Sequence, residues 1–205
     1  MKQLSIVYML LLFIPGNVYA QHIQSKGQII TTTDTVDVIF AIPVSSHNSL
    51  PDYEKLQRSF IYADATGKKV HVKPRHTKEI RFTYNSETIR MISTNKLVLA
   101  SAYMTGYTFL KMDIDGTMKL YTYYYTSRSS EMDVGAIKIP PYSSNGQKKI
   151  FSKREGEFII PRFFIIDMKR YLSDCPELVS KIQNKDLERG DEDYIVHFYN
   201  DNCGK

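Results

Sequence analysis

Between Gly27 and about Phe158 apolar residues recur at every second position; after Pro161 they recur at every third or fourth. That change of period constrains the fold more than any other feature of the chain. A two-residue period puts successive side chains on opposite faces of a strand, and a period near 3.6 gathers them into one stripe of a helix. In "TVDVIFAI" the residues Val36, Val38, Phe40 and Ile42 share a face. In "KEIRFTY" Ile80, Phe82 and Tyr84 alternate with Glu79, Arg81 and Thr83, and "ETIRMIS" repeats the pattern with Ile89 and Met91. Turn-forming residues separate these runs at Asp64 to Gly67, Asn85-Ser86 and Asp115-Gly116. Pro43, Pro51 and Pro74 mark strand ends or edges, because each lacks a ladder donor.

Beyond Pro161 the spacing of Phe164, Met168, Tyr171 and Leu172 predicts a helix over 162–173. A second helix is expected over 175–185, with Leu178, Val179 and Ile182 buried. Asp174 is its expected N-cap, with Glu177 three residues on and Pro176 tolerated in the first turn. A third, over 191–201, follows Gly190-Asp191 and lines Ile195, Phe198 and Tyr199 along one side. None is amphipathic enough to stand alone in water, so all three must dock on the sheet. The fold class is therefore α+β: an antiparallel β-rich body, as two packed sheets or a partly closed barrel, followed by three C-terminal helices. The stretch "TSRSSEMDVGAIKIPPYSSNGQ" is rich in Ser, Gly and Pro and is expected to hold a long surface connection, with an interdomain linker as the alternative.

Residues 1–20, "MKQLSIVYMLLLFIPGNVYA", have the form of a secretory signal: Lys2, an apolar stretch from Leu4 to Ile14, a break at Pro15-Gly16, and a Val-Tyr-Ala site. The alternative is an uncleaved anchor, but that stretch is too short to span ~30 Å of hydrocarbon at ~1.5 Å per residue. Cleavage after Ala20 leaves 21–205 as one globular domain, with the β-rich body at 27–158 and the helical segment at 162–201. The expected location is the periplasm or the extracellular medium, with no transmembrane segment after cleavage. The chain carries 27 Lys and Arg against 22 Asp and Glu, and loss of Lys2 narrows the surplus. The cations are scattered, whereas a nucleic-acid binder needs a basic stripe, so no nucleic-acid partner is expected.

The two cysteines, Cys175 and Cys203, flank the second and third expected helices. A helical hairpin brings the start of one helix near the end of the next, and an oxidising compartment preserves the bridge. A Cys175–Cys203 disulfide is the expected reading, with a pair of free cysteines as the alternative. The spacing is unlike the C-x-x-C of redox catalysts.

The stretches "GQIITTTDTVDVIFAIPV", "YADATGKKVHVKP", "KEIRFTYNSETIRMIS", "FLKMDIDGTMKLYTYYY" and "DCPELVSKI…IVHFYNDNC" together resemble a family of uncharacterised exported proteins common in Bacteroidetes. They run from Gly27 to Cys203. The resemblance implies a secreted or periplasmic β-rich domain ending in helices, and it implies no activity, cofactor or catalytic residue.

Several motifs bear on chemistry. "DIDGT" (Asp113, Asp115, Gly116) has the opening of a calcium loop, but Tyr124 stands where the bidentate Glu belongs, so a hairpin turn is expected and no metal. In "LYTYYYT" the residues Tyr121, Tyr123 and Tyr125 share one strand face, with Leu120 and Tyr124 on the other; such a row can grip a protein or stack on sugar rings, or simply cover a sheet. His22, His47, His71, His76 and His197 lack the i, i+4 spacing of a zinc site. Neither G-x-S-x-G nor S-x-x-K with its partners occurs, nor a glycine-rich phosphate loop. The leading expectation is an exported non-catalytic protein that binds a protein partner or a glycan of the envelope through Tyr121, Tyr123 and Tyr125, with no cofactor. The alternative is a glycan-acting hydrolase using a carboxylate pair drawn from residues such as Glu54, Asp133 and Glu157. A subunit of a larger assembly would show an exposed apolar patch or an open sheet edge.

Overall fold

A computed structural model describes residues 22–45, 49–95, 98–99, 102–103, 106–128, 132–134, 137–139, 143–154 and 156–204. The expected leader, residues 1–20, and His47 lie outside them. The strands are β1 (His22–Ile30), β2 (Thr35–Pro43), β3 (Phe60–Ala63), β4 (Lys69–Val72), β5 (Glu79–Tyr84), β6 (Glu87–Thr94), β7 (Val98–Leu99), β8 (Ala102–Tyr103), β9 (Thr108–Ile114), β10 (Lys119–Arg128), β11 (Met132–Val134), β12 (Ile137–Ile139) and β13 (Ser143–Ser152). The helices are α1 (Tyr53–Leu56), α2 (Phe164–Tyr171), α3 (Pro176–Gln183) and α4 (Glu192–Asn202). Nine strands form one antiparallel sheet in the order β13-β10-β9-β6-β5-β1-β2-β3-β4; β7-β8 and β11-β12 are separate two-stranded ribbons. The class is α+β, with a β-rich body followed by C-terminal helices.

The sheet is strongly curled. From β3 to β9 is five strand spacings, about 24 Å if flat, yet the Phe60 and Phe109 rings lie 5.5 Å apart. Phe60 also meets Phe40 at 5.2 Å and Phe82 at 5.7 Å. These rings, with Ile42, Leu56, Ile80 and Met91, fill the concave face. Closure is completed by a single residue, through its main-chain carbonyl and its side chain, rather than by strand pairing. The pairing of β10 with β9 stops at Thr122↔Lys111, and beyond it the buried Gln57 bonds both strands. Its carbonyl accepts from the Phe109 N–H at 3.0 Å. Its side-chain amide donates to the Tyr124 carbonyl at 2.9 Å and accepts from the Tyr124 N–H at 2.6 Å. The result is a partly closed barrel whose sheet still ends at β13 and β4.

Local chemistry explains the turns. Tyr84 pairs with Glu87, so Asn85 and Ser86 make a two-residue hairpin with φ of 48° and 67°, the left-handed pair of a type I′ turn. The Asp64 carboxylate accepts from the Thr66 and Lys68 N–H groups at 2.9 and 3.0 Å, and Gly67 supplies φ 81°. Gly27 lies under the Phe40 ring and against the Arg81 carbonyl, where a Cβ would clash.

A second core joins the helices to the sheet: Leu120 of β10 and Phe151 of β13 pack with Met168, Leu172, Leu178, Ile182, Ile195, Val196 and Tyr199. The expected stripes are observed, with Val196 buried in place of Phe198, which is half-buried. Two local expectations are corrected. The N-cap of α3 is Cys175, not Asp174; the Asp174 carboxylate is taken by Lys153 at 2.5 Å and by the Tyr199 hydroxyl at 2.7 Å. The stretch expected as a long connection contains β11, β12 and the start of β13. The Cys175–Cys203 disulfide is present, with Cα atoms 5.6 Å apart, tying the start of α3 to the end of α4. No described helix is long and apolar enough to cross a membrane.

Candidate functional site at the open margin of the sheet

β13 ends the sheet, and among the described residues its outer side is unpaired over most of its length. Phe151 exchanges both main-chain hydrogen bonds with Ile159, at 3.0 and 2.9 Å, on the side away from β10. In an antiparallel ladder alternate residues point their N–H and C=O groups to opposite sides. Phe151 thus sets the parity: Lys149, Gln147 and Asn145 turn theirs outward, while Ile150, Lys148 and Gly146 face Tyr121, Tyr123 and Tyr125 of β10. Among the described residues the pairing on the outer side stops after Ile159.

The interruption has a sequence cause. Continuing the register from Phe151↔Ile159 would set Pro161 opposite Lys149, and proline has no N–H to give its carbonyl. The chain leaves the edge there, and a cavity of about 700 Å³ opens between β13 and residues 160–164. Its floor and far wall include Phe151, Ile160, Pro161 and Phe164; its charged lining is Lys148, Lys149, Arg162, Arg189, Glu192 and Asp193.

The far wall is held in place by two side chains, Arg189 and Asp167. The Arg189 guanidinium donates to the carbonyls of Pro161 and Arg162 at 2.9 and 3.2 Å. The Asp167 carboxylate accepts the N–H groups of Arg162 and Phe163 at 2.7 and 2.8 Å. The main-chain groups of Pro161, Arg162 and Phe163 are thereby engaged, which makes β13 the side with main-chain groups turned toward the cavity. Phe163 and Ile166, beside the wall, are 64% and 60% exposed.

Behind β13, on the concave face, the half-buried Asp113 lies between two lysines: Lys111 at 2.6 Å on one carboxylate oxygen and Lys149 at 2.9 Å on the other, which also accepts from the Thr122 hydroxyl. Lys149 also reaches Asp193 of α4 at 3.5 Å. Burial alone would raise the Asp113 pKa, but hydrogen bonds from Lys111 and Thr122 and the charge of Lys111 outweigh it, so the carboxyl stays below its ordinary range. Burial likewise opposes the charge on Lys149, and Asp113 overcomes it, so the ammonium holds its proton above the usual range. Tyr53 and Tyr124 stack at 4.8 Å beside this group. Burial, then the Asp113 charge, pushes the Tyr53 phenol up to about 12 and raises Tyr124 as well.

This network has a consequence for pH. The pKa values of Asp113, Glu79, Asp115 and Asp174 are all lowered in the folded protein. A depressed carboxyl contributes stability that is present above its unfolded pKa, about 4, and lost as pH falls through the folded value. Calorimetry should therefore find a melting temperature nearly level between about pH 7 and 5 and falling below about 4. Asp113→Asn should flatten that acid limb.

The residues singled out in the sequence are placed as follows. Tyr121, Tyr123 and Tyr125 share the convex face of β10, opposite Leu120, Thr122 and Tyr124. Tyr121 is 5% exposed, its ring 5.6 Å from Phe158 in a small core with Leu110 and Ile150, so it is not surface. Tyr123 and Tyr125 are half-buried next to the open strand; Tyr125 lies over Gly146, and the Lys148 ammonium lies 5.3 Å above its ring. Asp113 faces inward and Asp115 pairs with Arg90 at 2.6 Å, at the turn from β9 to β10. Glu54 accepts from Arg58 at 2.7 Å and from the Thr126 hydroxyl; Glu157 pairs with Arg154 at 3.9 Å; the Asp133 side chain lies outside the described residues. His22, His71, His76 and His197 are dispersed and exposed. The sequence reading missed the cavity and Arg189; the one legible signal was Pro161 closing the apolar run "FII".

A second depression, of about 620 Å³, lies over β1, β2 and β5 near Gln28, Val38 and Phe82, away from either sheet edge. Comparison with protein-family models, with curated proteins and with solved structures finds no match to this chain.

Proposed function

We propose that this chain is an exported, non-catalytic binding protein that holds a protein partner at the β13 margin, in the periplasm or outside the cell. The observation that carries this reading is a pre-shaped cavity bounded on one side by outward main-chain groups of β13. Phe163 and Ile166, exposed beside the far wall, and Tyr123 and Tyr125, half-buried on the strand next to β13, suit a polypeptide surface better than a small solute. The disulfide supports the oxidising compartment, and the leader-like first twenty residues supply the route. The family resemblance agrees with export and is silent on the partner.

The hydrolase reading has weaker support. A glycosidase acid needs a raised pKa, whereas each described carboxyl with a displaced pKa is displaced downward.

A photo-crosslinking side chain at Tyr125 or Phe163, irradiated in envelope extract, should capture one defined partner, identified by mass spectrometry. The same group at His71 on the opposite sheet edge should not, and Tyr123→Ser with Ile166→Ser should abolish capture at Phe163. Equal capture at His71, or capture indifferent to those substitutions, would remove the site assignment. Intact mass of the exported protein should begin at Gln21.

A further inference from the structure

We infer, resting on the reading just given, that the partner enters as an extended acidic strand that pairs with the outer side of β13. The main chain argues for a strand. Asn145, Gln147 and Lys149 turn their N–H and C=O groups into or beside the cavity, spaced two residues apart, which is the repeat that an added strand satisfies. The opposite wall offers apolar side chains, Ile160 and Phe164, and its Pro161, Arg162 and Phe163 main chain is already engaged by Arg189 and Asp167. A strand in this slot therefore pairs on one side and packs on the other.

Side-chain alternation sets its chemistry. A residue opposite Lys149 places its side chain on the concave side. There Lys149 is already neutralised by Asp113 and Asp193, and Phe151 lines the cavity. That position takes an apolar group. A residue opposite Lys148 places its side chain on the convex side, beside the Lys148 ammonium over Tyr125, and takes an acid. The lining as a whole has four cations against two acids. Charge also argues against a second copy of this chain, because edge-to-edge pairing of two β13 strands would add a second Lys148 to the convex side of the seam and bring no acid there. The occupant is thus an alternating acidic and apolar segment of another protein.

The probe is a fluorescein-labelled octapeptide alternating valine and glutamate, measured by anisotropy with the full mature chain. It should saturate. A version N-methylated on the residues that face β13 should bind at least about tenfold more weakly, since it keeps the side chains and loses the donors. A valine–lysine version should lose at least about tenfold as well, and Lys148→Glu should reverse that preference. Gln147→Pro, which removes an outward N–H that β10 does not use, should abolish binding with sheet content unchanged by circular dichroism. Equal affinity for the methylated peptide, no saturation by about 1 mM, or a dimer in light scattering without peptide would overturn the inference. Should the octapeptide fail while crosslinking at Tyr125 and Phe163 still captures a partner, strand addition falls and the binding reading stands; failure of both removes both.

Discussion

Replacing Phe60 with alanine is expected to cost about 3–5 kcal/mol in urea unfolding, the largest effect of any single substitution considered. Phe60 is almost fully buried and is where β3 and β9 of the curled sheet come face to face. Its ring contacts Phe40 on the neighbouring strand, Phe82 three strands away and Phe109 five strands away. Truncation removes the transfer free energy of a buried ring and leaves a cavity that four strands cannot collapse into without uncurling. Phe60→Leu keeps most of the volume and should cost much less, about 1–1.5 kcal/mol. A cost below about 1 kcal/mol for the alanine variant would mean that β3 does not close against β9 in solution.

The second large effect is expected from the disulfide. Cys175→Ser with Cys203→Ser should lower stability by about 3.5 kcal/mol, from the unfolded-state entropy that a bridge across 28 residues removes. Cys175 is fully buried in the helical core, so the serine there adds a desolvation cost. The loss should be greatest in α4. That helix would still be held by Asn200, whose side chain accepts the Met118 N–H at 2.7 Å and donates to the Met118 carbonyl at 2.9 Å, and by the Thr117 hydroxyl on the Gly204 carbonyl at 2.9 Å. Trypsin digestion of the double variant should cut within 185–204 before it cuts the barrel. Identical melting of the oxidised and reduced wild-type protein would contradict this assignment.

Much of the scaffold was legible because periodicity reports burial directly. Phe40 and Ile42, Ile80 and Phe82, Ile89 and Met91 are all in the barrel core, as their alternation implies. Met168, Leu172, Leu178 and Ile182 are buried at helical spacing. Asn85-Ser86 fixed one hairpin through its own conformational preference. What was not legible depends on groups distant in the chain. α1 is four residues long with a single buried side chain, Leu56, too short for any period to register. Asp174 has the right chemistry for a cap, but Lys153 and Tyr199 take its carboxylate, and neither is near it in sequence. Tyr121 reads as surface until Phe158 is seen beside it.

The candidate site shows the same division. The tyrosines and Pro161 can be picked out of the sequence, and the alternating strand they accompany can be expected. The cavity opens where Pro161 interrupts the pairing, and its far wall is held by Arg189 and Asp167, at separations of 28 and 4 to 5 residues from the groups they bind. No pattern on β13 alone announces that its outer side stays open. Indeed the Ser, Asn and Gly at its start resemble a loop.

Amide hydrogen exchange, read residue by residue along β13 in the protein without a partner, tests that openness most directly. The account predicts alternation: Gly146, Lys148 and Ile150, which face β10, should be protected, and Asn145, Gln147 and Lys149 should exchange rapidly. Protection of all six amides alike would show the edge already covered, and would contradict it.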